Sequence, residues 1–187
     1  MNFLEFAVWG AYLTSMGGFL AGKGMGANIG WFYSVQGLVS IFMPAIIGML
    51  ADRYVQAQRM LSLCHLVAAV FMVVVGWIGM NDQVAFADIF PWYTLSVAAY
   101  MPTLALSNSV SYNALERSGL DTVKDFPPIR IFGTIGFIAS MWIVDLLGWQ
   151  HTNVQFFVSA AWSLLLAGYA LSLPSCPVNP SHERKGL

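Results

Sequence analysis

Hydrophobic positions in this chain form long runs and do not alternate with polar ones. Six apolar stretches follow one another, from Phe3 to Ala21, Ile29 to Ala51, Met60 to Met80, Ile89 to Tyr112, Ile129 to Trp149 and Val154 to Leu173. Each is close to the ~20 residues an α-helix needs to cross a hydrocarbon core of ~30 Å. The pattern predicts an all-α membrane protein of six transmembrane helices over residues 1–173, with a polar, proline-bearing tail over 174–187. A membrane β-barrel would instead show segments of about ten residues in strict alternation, which "LVAAVFMVVVGWIGM" does not. Because nearly every residue lies in a run and the connections are short, a single soluble core is excluded as well.

Composition strengthens this reading. The chain of 187 residues is 58% hydrophobic, with a mean hydropathy of +0.67 and only 9% charged residues, against roughly 25% in soluble domains. No basic residue precedes the first run, so the n-region of a signal peptide is missing and the first helix is expected to be retained. The distribution of the eight Lys and Arg residues orients the bundle. Arg53, Arg59, Arg117, Lys124, Arg130, Arg184 and Lys185 fall on one side and Lys23 alone on the other, while "NDQVAFAD" and "GWQHTN" carry none. The positive-inside rule therefore places both chain ends in the cytoplasm. A net charge of −1 gives no footprint for nucleic acid.

Polar residues within the runs indicate which helices face lipid. The third run is nearly bare after Ser62, Cys64 and His65, and the sixth carries scattered serines, so both are expected at the periphery. In the fourth run Ser96, Tyr100, Thr103, Ser107 and Ser111 recur on one helical face, with Asn108 and Tyr112 beside it. The first run has Glu5, Trp9 and Tyr12 on one face, and the fifth has Arg130, Thr134 and Phe137. Three helices that each offer such a face are expected to surround an aqueous or ligand-filled space. The serine and threonine stripe is equally consistent with helix packing. Glu5, near the cytoplasmic end, either reaches headgroup water or has a functional role, and His65 reads as a hydrogen-bonded packing residue. Asp145 reads as an interfacial carboxylate.

The stretch "DFPPIRIFGTIGF" concentrates the candidate chemistry. Pro127 and Pro128 suit a first helical turn, where a missing N–H costs nothing, and Arg130 follows in that turn. By charge alone Arg130 is either an anchor at the cytoplasmic interface or a ligand-binding cation. Gly133, Gly136 and Ser140 make a small-residue face for close helix approach, about a quarter turn from Arg130, Thr134 and Phe137. A guanidinium, a hydroxyl and an aromatic ring on an open face suit a polar solute containing a ring. Catalytic motifs, a CxxC pair and histidines at metal-ligand spacing are all lacking, so no metal, cofactor or enzyme is implied.

"GMLADRY", followed by Arg59, resembles the loop signature between the second and third helices of the major facilitator superfamily, with Val55 where a second glycine is usual. That resemblance implies that Gly48, Asp52 and Arg53 belong to a conformational latch. "AYMPTLALSNSVSYNAL" and "GLDTVKDFPPIRIFGTIGF", together with "FLEFAVWGAYLTSMG" and "SIFMPAIIGMLAD", are similar to the bacterial nucleoside:proton symporters. The similarity implies a twelve-helix transporter whose halves each contain two three-helix inverted repeats, with substrate held between the halves. This chain is then expected to be the amino-terminal half, in the bacterial inner membrane, its partners being a nucleoside, a proton, the lipid bilayer and a missing C-terminal half.

Carried over by the same resemblance, Arg130, Thr134 and Phe137 line the nucleoside site, with Tyr100, Asn108 and Trp9 as further cavity candidates. Glu5 stands where relatives are expected to have a neutral amide, so the resemblance assigns it no proton role. Acidic and amide groups of the second half are expected to complete the site and carry the coupling. The rival reading is a self-sufficient six-helix protein whose second copy completes a homodimeric transporter or channel.

Overall fold

The computed structural model describes residues 1–176, so the segment 177–187, most of the expected tail with Arg184 and Lys185, lies outside the described residues. Among the described residues seven α-helices follow in order: α1 (Asn2–Gly10), α2 (Met16–Gly22), α3 (Ile29–Arg53), α4 (Ala57–Ile78), α5 (Phe86–Arg117), α6 (Thr122–Leu146) and α7 (Val154–Ala170). A short 3₁₀ turn, Gly26–Asn28, leads into α3. By length and composition, three helical segments of the described residues can cross a membrane: Gly26–Arg53, Ala57–Ile78 and Thr122–Leu146.

The first apolar run differs from the single helix expected of it, because it breaks between α1 and α2. The Leu13 carbonyl accepts a hydrogen bond from the Tyr33 hydroxyl at 2.8 Å, and Ser15 donates to Gln155 Oε1 at 2.8 Å. The first of these occupies a ladder carbonyl, and the second ties the break to α7. The backbone nevertheless stays in the right-handed region at Ala11 and Ser15.

The start of α6 also differs from expectation. Asp121 accepts from the N–H groups of Val123 and Lys124 at 2.9 and 3.4 Å, an N-cap that begins the helix at Thr122. Pro127 and Pro128 therefore sit in the second turn and deprive the carbonyls of Val123 and Lys124 of their ladder donors. Both residues are at the exposed helix end, where solvent can satisfy them. Three turns need glycine: Gly24 (φ 77°) after α2, Gly119 (φ 68°) between α5 and α6, and Gly148 (φ 71°) after α6.

The elements pack as a bundle in which α4 lies between α5 and α7, α1 lies against α6 and α7, and α3 packs on α5. One core gathers Tyr12, Met16, Phe19, Phe32, Tyr93 and Phe156. A second joins α4, α5 and α7 through Leu61, Leu106, Val110 and Ala170. Cys176 closes that second core, its N–H donating to Gln58 Oε1 at 2.9 Å, so the start of the expected tail docks back on α4.

Outward faces differ among the helices. On α4 the residues Leu63, Leu66, Val70, Val73 and Trp77 form one exposed apolar stripe, as expected of a helix facing lipid. Its opposite face is buried and holds His65, so α4 is central on one side and not simply peripheral. The most open helices are α3 and α6, which expose Trp31, Ile41 and Phe42, and Ile131, Phe132 and Trp142.

Candidate functional site

Two faces of α6 are separated as the residue spacing predicts, except that the Arg130 guanidinium leaves the open face and lies over Gly133, its Nη1 2.8 Å from where a Cβ there would stand. Gly133, Gly136 and Ser140 are buried against α1. A Cβ on Gly136 would collide with the backbone carbonyl of Phe3, and one on Gly10 with that of Phe137, so α1 and α6 cross backbone to backbone. This small-residue contact sets the height at which α6 presents its other face. There Thr134 is exposed, and Arg130 and Phe137 are partly exposed.

The Arg130 side chain folds back toward α1. Its guanidinium carbon lies 3.9 Å from the Phe6 ring centroid, a cation–π arrangement in which the ring holds a charge that has no carboxylate partner among the described residues. Phe137 meets Trp9 edge to face at 6.3 Å. Trp9 donates its indole N–H to Gln36 Oε1 at 2.9 Å and lies 6.3 Å from the Tyr100 ring. Where α1 and α6 meet, Arg130 thus stands on Phe6 and, about two turns along α6, Phe137 stands on Trp9, with Gln36 of α3 holding the indole. Gln36, buried near the middle of α3, was missed by sequence reasoning because a lone amide carries no periodicity.

Other predicted residues are placed differently. In the α5 stripe Ser96, Tyr100, Thr103, Ser107 and Ser111 are all buried, so this face packs within the bundle and does not line an open space. Ser96 donates to the Ala68 carbonyl at 2.8 Å, and the Tyr100 hydroxyl donates to the Glu5 carbonyl at 2.8 Å. Tyr100 therefore reaches the candidate site only through its ring, behind Trp9. Asn108 is partly buried one turn from Tyr112, whose ring meets Phe126 of α6 at 4.4 Å. Arg130 lies one turn beyond Phe126, so the antiparallel helices bring Asn108 and Arg130 to a similar depth.

Glu5 does not reach headgroup water. It is fully buried, as is His65, and its Oε2 lies 2.9 Å from His65 Nε2. Its Oε1 accepts from Thr103 Oγ1 at 2.6 Å, and His65 Nδ1 lies 2.8 Å from Ser163 Oγ. A carboxylate survives such burial only when paired and hydrogen-bonded; α4 and α5 each contribute one partner to Glu5, and α7 contributes Ser163 to His65. Of the α1 stripe, Glu5 and Tyr12 face the interior and Trp9 alone is partly exposed.

At the α3 terminus Asp52 and Arg53 are exposed, and the space beside Gly48 is open, with no atom within 4 Å of where a Cβ would stand. No element of the described residues uses that smooth surface. Toward the other end, a cavity of about 350 Å³ lies between Thr14, Ser15, Trp142, Asp145 and His151. Lys23 there donates to the Asn81 carbonyl at 2.7 Å and pairs with Asp82 at 3.5 Å. Among the described residues no group of three or more His, Cys, Asp or Glu side chains is placed to hold a metal.

Known proteins resemble this chain in sequence and fold. The chain is 44% identical over 181 residues to the xanthosine permease of Escherichia coli, covering 95% of this chain and 42% of that protein. Nucleoside permease NupG of the same organism is 39% identical over 180 residues, with the same coverage. Crystal structures of NupG superpose with TM-scores of 0.90 for a point mutant and 0.87, at 37% identity, covering 99% of this chain and 45% of theirs. The chain therefore spans less than half the length of these relatives. The model of the family described as "Nucleoside H+ symporter" matches residues 1–186, and with that match over nearly the whole sequence, this chain belongs to the nucleoside H+ symporter family.

Proposed function

We propose that the chain forms the amino-terminal bundle of a nucleoside:proton symporter in the bacterial cytoplasmic membrane. The observation that carries this reading is the uncovered face of α6 with Arg130, Thr134 and Phe137, where Arg130 meets Phe6 and Phe137 meets Trp9 of α1. In this reading α1 and α2 together make one pass and α3 to α7 make the other five, giving two three-helix inverted repeats over residues 1–173. Residues 174–187 begin the central cytoplasmic loop, and both ends of the bundle lie in the cytoplasm.

Substrate binds between this bundle and a C-terminal six-helix bundle that closes over α3 and α6, which the exposure of both helices favours. The guanidinium of Arg130 and the hydroxyl of Thr134 meet polar groups of the nucleoside, and the Phe137 ring packs on it. Asn108, Trp9 and the ring of Tyr100 form the wall behind. Gly48, Asp52 and Arg53 belong to the latch that steadies one transport state, with the open surface at Gly48 receiving a helix of the other half.

The test is proton-driven uptake of labelled uridine into vesicles holding this chain alone or co-expressed with the C-terminal half of a relative. Uptake is expected only with the partner, and uptake by the chain alone would favour a homodimer. In the assembled transporter Arg130→Ala is expected to lower uptake about tenfold or more, since a hydrogen bond from a charged group contributes ~1.5–3 kcal/mol and ~1.4 kcal/mol is a factor of ten. Lys23→Ala, on the far side, is expected to leave uptake nearly unchanged, and equal effects of the two would sink the assignment.

A further inference from the structure

The bundle holds a second chemical centre that the substrate face does not use. We propose that Glu5 and His65 form a proton-binding site, in which the hydroxyls of Ser163 and Thr103 exchange acceptors as the pair gains and loses a proton.

Each of these hydroxyl protons has two places to go. Take first a Glu5 carboxylate beside a neutral ring: His65 Nε2–H donates to Oε2 at 2.9 Å, Ser163 donates to Nδ1 at 2.8 Å, and Thr103 donates to Oε1 at 2.6 Å. Add one proton at Nδ1, and the ring donates to Ser163 Oγ while the Ser163 proton turns to the His65 carbonyl, 3.0 Å away. Place that proton at Glu5 Oε1 instead, with the ring neutral as at first, and the carboxyl donates to Thr103 Oγ1 while the Thr103 proton turns to the Tyr100 carbonyl, 2.5 Å away. Every donor has an acceptor in each of these states. The two spare acceptors therefore let the site change its proton count without leaving a buried group unsatisfied.

The surroundings make that count matter. Both side chains are fully buried, so a change of net charge there is felt strongly in a low dielectric. The titratable and charged groups facing the pair are the Met1 amino group of its own segment, Cys64 on α4 and Tyr100 on α5, with Arg130 of α6 acting on Tyr100, while α7 presents the Ser163 hydroxyl. A cavity of about 10 Å³ borders Ser163, Ser159, Tyr12 and Tyr100, close to the smallest that admits a water. Contact with the substrate face runs through rings: Tyr100 lies 5.9 Å from His65 and 6.3 Å from Trp9, which in turn meets Phe137 at 6.3 Å.

That this proton is the one used in symport rests on the function proposed above; the site itself does not. Infrared titration of the 187-residue chain in lipid vesicles, with isotope-labelled glutamate and histidine, needs neither nucleoside nor partner. Between about pH 5 and pH 8, the range in which histidine charge ordinarily changes, a carboxyl band and an imidazole band are expected to change together. Glu5→Gln and His65→Asn should each remove both changes. Ser163→Ala leaves both titrating groups in place but removes the exchanging hydroxyl, and should displace the midpoint even if the other variants do not fold. No change from the pair across that range, or a Ser163→Ala midpoint equal to that of the parent chain, would overturn the proposal.

Discussion

Gly136→Ala tests the crossing on which the site is built. The added Cβ would fall on the carbonyl oxygen of Phe3, with the carbonyl carbon and Cα of the same residue at 2.8 and 2.9 Å. These are backbone atoms of α1 and have no rotamer to yield. Restoring ordinary contact at ~3.5 Å would move the helices apart by roughly 1 Å, and overpacking of this kind costs about 1–3 kcal/mol. The same motion pulls Glu5 from His65 and Trp9 from Gln36, so the upper part of that range is expected. Alanine also gains up to ~1 kcal/mol of helix propensity over glycine, which Gly168→Ala on α7 isolates, because nothing lies within 4 Å of its Cβ position. With ~2–4 °C per kcal/mol for a chain of this size, the upper part of that overpacking range, ~2–3 kcal/mol, means that Gly136→Ala should melt about 4–12 °C below Gly168→Ala. The assay is thermal unfolding of the purified chain in one detergent. Coincident melting of the two variants would refute a backbone-to-backbone crossing.

Two further outcomes follow from single contacts. Gln36→Leu leaves the Trp9 indole N–H without its acceptor, so tryptophan emission should change on substitution, and the KM of the assembled transporter should rise several-fold with maximal uptake less affected; an unchanged KM would remove Trp9 from the site. Burial pushes the Cys176 thiol up from its ordinary value, with a lesser opposing effect of Gln58, so less thiolate is present at neutral pH and alkylation in a Cys64→Ala background should be slower than for a free thiol. Gln58→Ala frees the segment and should speed that alkylation, and equal rates before and after would show that Cys176 is not docked on α4.

Hydropathy alone determined the helical class and nearly all of the apolar segments, because a helix that faces lipid must be apolar for about twenty residues and leaves an unmistakable run. Residue size and period likewise separated the two faces of α6, since only Gly133, Gly136 and Ser140 allow a neighbouring backbone so close. The break after Gly10 was not legible: it depends on hydroxyls of Tyr33 and Ser15 and on Gln155, which come together only when α1, α2, α3 and α7 pack. The same holds for the α5 stripe, where a serine bonded to a neighbouring helix and a serine facing a cavity have the same spacing. Glu5 shows the limit most clearly. A lone acid near a chain terminus looks like a surface group, and nothing local distinguishes it from one. Only the tertiary structure brings His65, Thr103 and Ser163 around it from three other helices, because pairing in a buried site depends on distances across the bundle and not along the chain.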